Sequence, residues 1–380
     1  MIFAQGFRRV INKIRALNRQ RNYFLKGIKI KLRLALAKIL WDRRKKASWN
    51  PDKVQKILII RNEGTIGDVI VYSSFIEALS KRGYCIDILL TEANKTVIEY
   101  NPYIRKAYVC ENATTEVFLK SFTPLISREI VSTLRENHYD LVIDPCLETP
   151  VHRVKLLHDI DAKMAIGFNK WHCINHYSKS LDFASKDQHI TQSVAQLAAA
   201  LKIENIKSIP YKLHIPENVQ SDVVNFLHHM GKQRVVLINI FAGNKERCLS
   251  QEQLANIINK LLNSYCNVKI IILDHLNKID KYMSDFAVIN PFKTLHHAMA
   301  LIASADLIIT PDTSIVHISA AWEKPLISIY KDIDDNNMLW APGYSNASQI
   351  IFHRRQLSQV AKIEEAIAVE IDKRSLLEKA

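Results

Sequence analysis

The sequence predicts an α/β protein built on parallel sheets. Short apolar runs alternate with amphipathic helical patterns along the whole chain, and several of these runs end in polar turns that open a helix. The chain has 380 residues and 48% hydrophobic content, which is enough for two domains with a core each. Internal repeats are absent from the sequence, and its nine glycines form no obvious flexible linker.

The first half contains five strand-like runs with helical patterns between them. We expect strands at 56–61, 85–90, 107–110, 141–144 and 164–166. We expect helices at 69–81, 91–100, 119–137, 149–158 and 191–201. The segment from Pro210 to Pro216 interrupts this alternation, so a first domain is predicted at 51–213.

The second half restarts the same alternation. Strands are expected at 234–240, 268–273, 287–289, 307–310 and 326–329. Helices are expected at 219–230, 251–262, 295–303, 315–322 and 358–377. Ser250 and Gln253 have the spacing of a capping box for one of these helices. A second domain is therefore predicted at 214–355, followed by a C-terminal helix within 356–380.

The positive charge of the chain lies in an N-terminal arm, residues 1–50. This arm holds 15 of the 52 Lys and Arg residues but only one of the 38 acidic residues, Asp42. The rest of the chain therefore has 37 of each sign and is neutral. Apolar residues recur in the arm at near-helical spacing, from Phe7 to Leu40, and two tryptophans lie near its end. A basic amphipathic helix with aromatic anchors suits an anionic membrane surface.

Two other interpretations of the arm stay open: a solvated helix packed on the body, and a nucleic-acid-binding arm. The neutral body offers no basic groove to continue the arm, so no nucleic-acid partner is expected. No signal peptide is expected, because cations interrupt the apolar stretches. No apolar run reaches the roughly 18 to 20 residues of a spanning helix. The six cysteines are scattered without a CxxC pair, and no metal site is expected.

The turn Pro311-Asp312-Thr313-Ser314 carries the strongest functional signal. It joins an apolar run to a helix of small residues, which places free backbone N–H groups where an anion can bind. His317 follows one turn later on the same side. Asp312 and Thr313 can also be simple helix caps, and His317 can be a packed core residue.

A second turn of this kind runs from Asn62 to Asp68 in the first half. Gly64 and Gly67 permit tight backbone geometry and close approach of a ligand. Asp68 falls where the helix begins, so it can cap that helix, and an ionised carboxylate there can also take a proton from a substrate. The turn matches neither a Walker loop nor the dinucleotide fingerprint.

A third loop follows the strand at 234–240 and contains Gly243, Asn244, Lys245 and Arg247. It lies at the carboxyl edge of the predicted sheet, where open α/β sheets bind ligands. A cation at this edge can neutralise a diphosphate. Both cations can equally be solvated loop residues.

Together the three turns resemble glycosyltransferase family 9, the bacterial heptosyltransferases of lipopolysaccharide inner-core synthesis. The resemblance covers about residues 54 to 345. It rests on Gly67-Asp68 with the later pair Asn101-Pro102, and on a donor motif running from Asp312 to Ala321 and followed by Lys324-Pro325.

The resemblance implies a GT-B fold, with two Rossmann-like domains whose parallel sheets face an interdomain cleft. The first domain would bind the acceptor and the second the nucleotide sugar. The implied donor is ADP-heptose, and the implied acceptor is the lipid A–Kdo core. The implied transfer inverts the anomeric centre without a metal or a cofactor. Such an enzyme would work in the cytoplasm, peripheral to the inner face of the inner membrane.

The resemblance also assigns expected roles to single residues. Asp68 matches the general base. The expected donor-binding residues are Asp312, Thr313, Ser314, His317, Arg247, Lys245, Gly243 and Asn244. The expected acceptor-binding residues are Gly67, Thr65, Arg153 and His189.

The chain departs from the family pattern at three places. Ser314 replaces a glycine of the donor motif, Ser73-Ser74 replaces a Thr-Pro pair, and the basic arm is additional. Two alternatives to heptose transfer therefore stay open. One is a GT-B transferase that uses another nucleotide sugar on a cell-envelope glycan. The other is a non-catalytic membrane- or nucleic-acid-binding protein on the same scaffold.

Overall fold

The structure, a computed structural model, describes residues 21, 25, 27–110, 126–147, 151–170, 172–231, 233–279, 287–333 and 336–380. It contains two six-stranded sheets with surrounding helices, which confirms the predicted α/β class. The chain forms two compact units. The first comprises Met1–Asn50, Lys56–Leu58 and Ala113–Asp182, and the second comprises Pro51–Gln55, Ile59–Asn112 and Phe183–Ala380. The predicted division into domains at residue 213 stays a prediction.

The first sheet has the strand order β3-β2-β1-β4-β5-β6, which is the Rossmann order. Its strands are β1 Lys56–Arg61, β2 Cys85–Thr91, β3 Lys106–Cys110, β4 Leu141–Asp144, β5 Met164–Phe168 and β6 Tyr177–Leu181. Five of them were predicted. The sequence interpretation missed β6, because this edge strand is polar and only partly buried and so lacks the apolar run of a central strand.

The helices of the first half differ from the prediction in their bounds, and residues 119–125 and 149–150 of the predicted ranges lie outside the described residues. These helices are α1 27–41, α2 Ile66–Ile70, α3 Ser73–Lys81, α4 Glu92–Lys95, α5 Arg128–Glu136, α6 Val151–Ile160 and α7 Thr191–Ala200. The helix predicted at 69–81 begins earlier and is two helices, α2 and α3, separated at Tyr72. The helix predicted at 91–100 ends after one turn and continues as a 3-10 turn, Thr96–Ile98.

The second sheet repeats the topology of the first, with the order β12-β11-β10-β7-β8-β9 and parallel pairing throughout. Its strands are β7 Arg234–Asn239, β8 Val268–Leu273, β9 Ala287–Ile289, β10 Leu307–Pro311, β11 Leu326–Lys331 and β12 Ala347–Phe352. The sequence interpretation missed β12, another edge strand with no fully buried residue.

The helices of the second half are α8 Glu217–His229, α9 Gln251–Ser264, α10 Leu295–Ser304, α11 Ser314–Ala321, α12 Asn336–Leu339 and α13 Ile363–Arg374. The capping box predicted for α9 is present. The Ser250 hydroxyl accepts from the Gln253 N–H at 3.1 Å, and the Gln253 side chain accepts from the Ser250 N–H at 2.8 Å. Buried aliphatic residues of β7, β8, α9 and α13 share one core.

The described part of the arm is helical from residue 27 to 41, as expected. The apolar positions predicted between Phe7 and Leu17 lie outside the described residues. Within the described ranges, no helix is both long and apolar enough to cross a membrane.

Candidate functional site

The helix openings singled out in the two halves lie against each other. Helices α2 and α11, both in the second compact unit, are in direct contact. A Cβ atom added to Gly67 would lie 2.9 Å from Cδ2 and 3.5 Å from Nε2 of His317. The approach of the two helices therefore requires a residue without a side chain at position 67.

Both carboxylate oxygens of Asp68 are engaged. Oδ2 accepts from the Thr65 N–H at 2.5 Å and from the Thr65 hydroxyl at 2.9 Å. Oδ1 forms an ion pair with Nη2 of Arg61 at 3.1 Å. The side chain nevertheless keeps 21% of its surface exposed, so a ligand hydroxyl can reach it. The N-cap of α2 is thus Thr65, and Asp68 caps the helix as the third residue of a capping box rather than as the N-cap itself. This capping role is compatible with accepting a proton.

Gly64 makes the position of this carboxylate possible. Its backbone has φ of +91°, a conformation that favours glycine. A Cβ atom at residue 64 would lie 2.7 Å from Oδ2 of Asp68. Any side chain at this position would displace the carboxylate or the turn.

His317 is 5% exposed and neutral at physiological pH. Burial, with a smaller contribution from His189, lowers the pKa of its imidazole to about 4, against the opposing effect of Asp68. The rings of Tyr211 and Trp340 contact it edge-on, with centroids at 6.1 and 5.6 Å. Its Nδ1 atom is buried without a hydrogen-bond partner among the described residues. His317 is therefore a packed core residue, as one of the two interpretations predicted. One edge of its ring nevertheless faces the turn at Gly67.

Asp312 and Arg247 form a short ion pair at the end of β10. The Arg247 guanidinium donates to Oδ2 of Asp312 at 2.6 Å, with side chains 26% and 10% exposed. The charge of Arg247 is thus already partly compensated within the protein. Thr313 occupies the N-cap position of α11, but its side chain makes no capping hydrogen bond, so its hydroxyl is available to a ligand.

The loop before α9 forms a 3-10 turn, Lys245–Arg247, next to Gly243 and Asn244. The Asn244 side chain caps this turn by accepting from the Glu246 N–H at 2.9 Å. Glu246 itself pairs with Lys331. Lys245 is exposed and forms no ion pair with any residue in the described ranges. Of the two cations predicted here, Lys245 is therefore the one with uncompensated charge.

His189 is held in place by two hydrogen bonds. Its Nδ1 lies 2.7 Å from the Thr191 hydroxyl, and its Nε2 lies 2.8 Å from the Ala341 carbonyl oxygen. Burial lowers its pKa, and the Ala341 carbonyl opposes this. Since His189 also lowers the pKa of His317, the two rings are electrostatic neighbours.

Arg153, which we expected to bind the acceptor, is not accessible to a ligand. Its side chain is completely buried in the first compact unit, where Nε lies 3.6 Å from Oδ1 of Asp144. A side chain with no exposed surface presents nothing to a sugar. We therefore leave Arg153 out of the candidate site.

Sequence reasoning missed three residues of this site: Arg61, Tyr211 and Trp340. A signal existed for Arg61, because a cation ends an otherwise apolar strand directly before the glycine turn. Tyr211 and Trp340 lie outside helices and strands, and their packing on His317 follows from tertiary structure alone.

A family model described as glycosyltransferase family 9 (heptosyltransferase) matches residues 127–367. The chain belongs to this family. It is therefore a glycosyltransferase, as its sequence motifs predicted. The family match includes the Asp312 turn and His317, whereas the Asp68 turn precedes the matched range.

Single relatives agree with the family assignment. The chain is 23% identical over 353 residues to a protein named putative lipopolysaccharide heptosyltransferase 4 from Escherichia coli K12, covering 89% of this chain and 92% of the relative. A glycosyltransferase family 9 structure from Veillonella parvula superposes with a TM-score of 0.66 at 18% identity, covering 84% of this chain and 96% of the other. The E. coli ADP-heptose lipopolysaccharide heptosyltransferase II superposes with a TM-score of 0.64 at 16% identity, covering 84% and 98%. These structural matches establish the GT-B-like fold.

Proposed function

We propose that this family 9 enzyme transfers heptose from ADP-heptose to the lipid A–Kdo inner core of lipopolysaccharide, with inversion and without a metal ion. The names of the E. coli relatives support the class of donor and acceptor. The observation that carries the proposal is the contact between Gly67 and His317, because it joins a reactive carboxylate to an anion-binding helix start.

In the proposed reaction, Asp68 acts as the general base. Its carboxylate accepts the proton of an acceptor hydroxyl while the oxygen attacks the anomeric carbon and ADP departs from the opposite face. The ion pair with Arg61 and the two bonds from Thr65 fix the carboxylate before substrate arrives. These three contacts leave part of the carboxylate exposed, so the acceptor hydroxyl can approach it.

The start of α11 is proposed to receive the diphosphate of the donor. The first N–H groups of a helix lack partners within that helix and point at an incoming anion. The hydroxyls of Thr313 and Ser314 would donate further hydrogen bonds to the diphosphate. Gly243 and Asn244, in the loop after β7, would also contact the donor. Neutral His317 can donate a hydrogen bond to the departing diphosphate without adding positive charge.

Two cations have different proposed roles at the donor. Lys245 would meet the diphosphate directly, because no acidic side chain described in the structure pairs with it. Arg247 would hold the Asp312 carboxylate and thereby orient the turn before α11. On the acceptor side, Thr65, Gly67 and His189 remain the proposed contacts.

We also keep one second candidate, transfer from another nucleotide sugar. Ser314 occupies the first position of α11, where the family motif has a glycine, so the donor meets a side chain there. A panel of nucleotide sugars with one acceptor separates the candidates: ADP-heptose must be turned over fastest for the proposal to hold.

The proposed acceptor is anchored in a lipid bilayer. We therefore place the enzyme in the cytoplasm, at the inner face of the inner membrane. An acceptor exposed only on the outer surface of the cell would contradict this placement.

Replacing Asp68 by Asn tests the base assignment. We expect kcat/KM for transfer from ADP-heptose to Kdo-lipid A to fall roughly 10²- to 10⁴-fold, the usual contribution of a general base. The thermal midpoint should also fall, because the nearly buried Arg61 loses its anionic partner, so the activity is measured well below that midpoint. Transfer by Asp68→Asn at the rate of the native chain would rule out Asp68 as the base.

Asp306→Asn is the matched control. Asp306 also accepts from a backbone N–H, that of Val235 at 2.8 Å, and from an arginine, Arg234 at 3.0 Å. It precedes β10, at the edge of the sheet opposite to Asp312. This variant should keep kcat/KM within a few-fold of the native value.

A further inference from the structure

Helix α1 has two apolar sides. Leu34 and Ala37 are 2% and 0% exposed, so one side packs on the protein. At about 100° per residue, the roughly opposite side carries four large apolar residues that are between 39% and 66% exposed. We call this set the outward stripe: Ile28, Leu32, Leu36 and Ile39. Its spacings of three and four residues align these side chains along one line of the helix.

Cations border the outward stripe on both sides. Lys29 and Arg33 follow one border, and Lys31 and Lys38 follow the other. Four more cations occupy residues 43–46, directly after the helix. Of these four, Arg44 pairs with the exposed Asp161 at 3.6 Å. The acid nearest in sequence, Asp42, is 2% exposed and so does not screen the other three at the surface.

The helix is fixed to the first compact unit at its C-terminal end. Asp42 accepts from the N–H groups of Asn175 at 2.6 Å and His176 at 3.0 Å. The His176 ring lies 2.8 Å from the Trp41 carbonyl oxygen. Arg44 donates to the carbonyl oxygens of Ala162 at 2.7 Å and Lys163 at 3.0 Å. The outward stripe is therefore presented in a fixed orientation.

We propose that the outward stripe docks flat on an anionic lipid bilayer. Its aliphatic side chains would enter the region between headgroups and acyl chains, while the bordering lysines and arginines would extend to the lipid phosphates. This surface is distinct from the candidate active site, and the proposal does not depend on the identity of the transferred sugar.

The charge pattern favours a bilayer over the other occupants of such a surface. A second copy of this helix would bring two sets of like charges together, which opposes a dimer through the stripe. A nucleic acid would use the cations but would gain nothing from exposed leucine and isoleucine side chains. A bilayer of anionic lipids satisfies both features at once.

Sedimentation of the full chain with lipid vesicles tests the proposal. The native protein should bind phosphatidylcholine vesicles that contain phosphatidylglycerol, and bind pure phosphatidylcholine at least about tenfold more weakly. The combined variant Leu32→Ser, Leu36→Ser and Ile39→Ser should bind the anionic vesicles at least about tenfold more weakly than the native chain. These side chains are exposed, so the variant should keep the native thermal midpoint.

Val224→Ser and Val369→Ser provide the matched control, because these valines are 59% and 62% exposed on other helices. This double variant should bind the vesicles as the native protein does. Unchanged binding by the stripe variant would overturn the proposal. A concentration-dependent dimer or DNA binding that the stripe variant abolishes, with vesicle binding intact, would overturn it in favour of a second copy or a nucleic acid.

Discussion

Two groups of ion pairs in this enzyme use the same residue types in opposite ways. In the first compact unit, Asp144 is completely buried together with Lys170 at 3.0 Å and Arg153 at 3.6 Å, and it accepts from the Tyr177 hydroxyl at 2.6 Å. In the second unit, Asp68 and Asp312 pair with arginines but keep 21% and 10% of their side chains exposed. The first group is closed to solvent, whereas the second stays open to a ligand.

The difference in exposure matches the structural role of Asp144 and the binding and catalytic roles proposed for Asp68 and Asp312. Burial raises the pKa of Asp144, but Arg153 and Lys170 outweigh it and hold the pKa at about 2. The carboxylate is therefore permanently ionised and cannot exchange a proton near neutral pH. Asp68 and Asp312 each pair with an arginine and keep part of the side chain exposed, as the proposed proton transfer and donor binding require.

Replacing Asp144 by Ala should have the largest effect on stability. Two buried cations would lose their counter-ion, so we expect the free energy of unfolding to fall by about 3 to 5 kcal/mol. Urea denaturation measures this loss. Asp52→Ala breaks the exposed pair with Lys202 at 2.7 Å and should cost about 1 kcal/mol or less. Equal losses in the two variants would show that burial does not distinguish the pairs.

The second unit also contains a titratable side chain that is closed to solvent, the imidazole of His317. Its folded-state pKa of about 4 lies below the value of about 6.5 expected in the unfolded chain, so the unfolded state binds a proton first as pH falls. The contribution of neutral His317 to the free energy of unfolding should be fully present above about pH 6.5. It should decrease by about 3 kcal/mol in total as the pH falls to about 4.

Urea denaturation at several pH values measures this slope. In His317→Gln the slope should shrink, whereas replacing the exposed His228 by Gln should leave it unchanged. An unaltered slope in His317→Gln would contradict the assignment of a neutral, closed imidazole.

Lys245→Ala should have the smallest effect of these variants. It separates the role of the unpaired cation Lys245 from that of the paired cation Arg247. We expect the KM for the nucleotide-sugar donor to rise about tenfold, or about 1.4 kcal/mol, with no change in unfolding free energy. Steady-state kinetics at varied donor concentration measures this. Arg247→Ala is the comparison, because it removes the cation that pairs with the nearly buried Asp312 and should lower stability as well. A loss of stability in Lys245→Ala would contradict the view that this cation is uncompensated.

The sequence was most informative where local patterns determine structure. Central strands such as β7 and β8 are apolar runs that fit only the interior of a parallel sheet, and both were predicted nearly to the residue. The edge strands β6 and β12 were missed because partial exposure permits polar residues. The motif turns were found because glycine and capping residues have local causes.

The arrangement of the site depends on packing and so was less accessible. The residues around Gly67 do not indicate by themselves that α2 packs against α11. That packing brings the turn of Asp68 close to His317. The burial of Arg153 is equally non-local, since this residue of helix α6 lies against Asp144 at the end of β4. Residue types and spacing thus identified candidates, and tertiary packing selected among them.

The contacts of Asp68 have a consequence for the turnover cycle. If Asp68 takes the acceptor proton, the neutral carboxyl weakens its ion pair with Arg61 and its bonds from Thr65 at the moment the product forms. These contacts would form again once the proton has left for solvent. If Asp68 is the base, the first turn of α2 would therefore loosen and re-form once in every turnover.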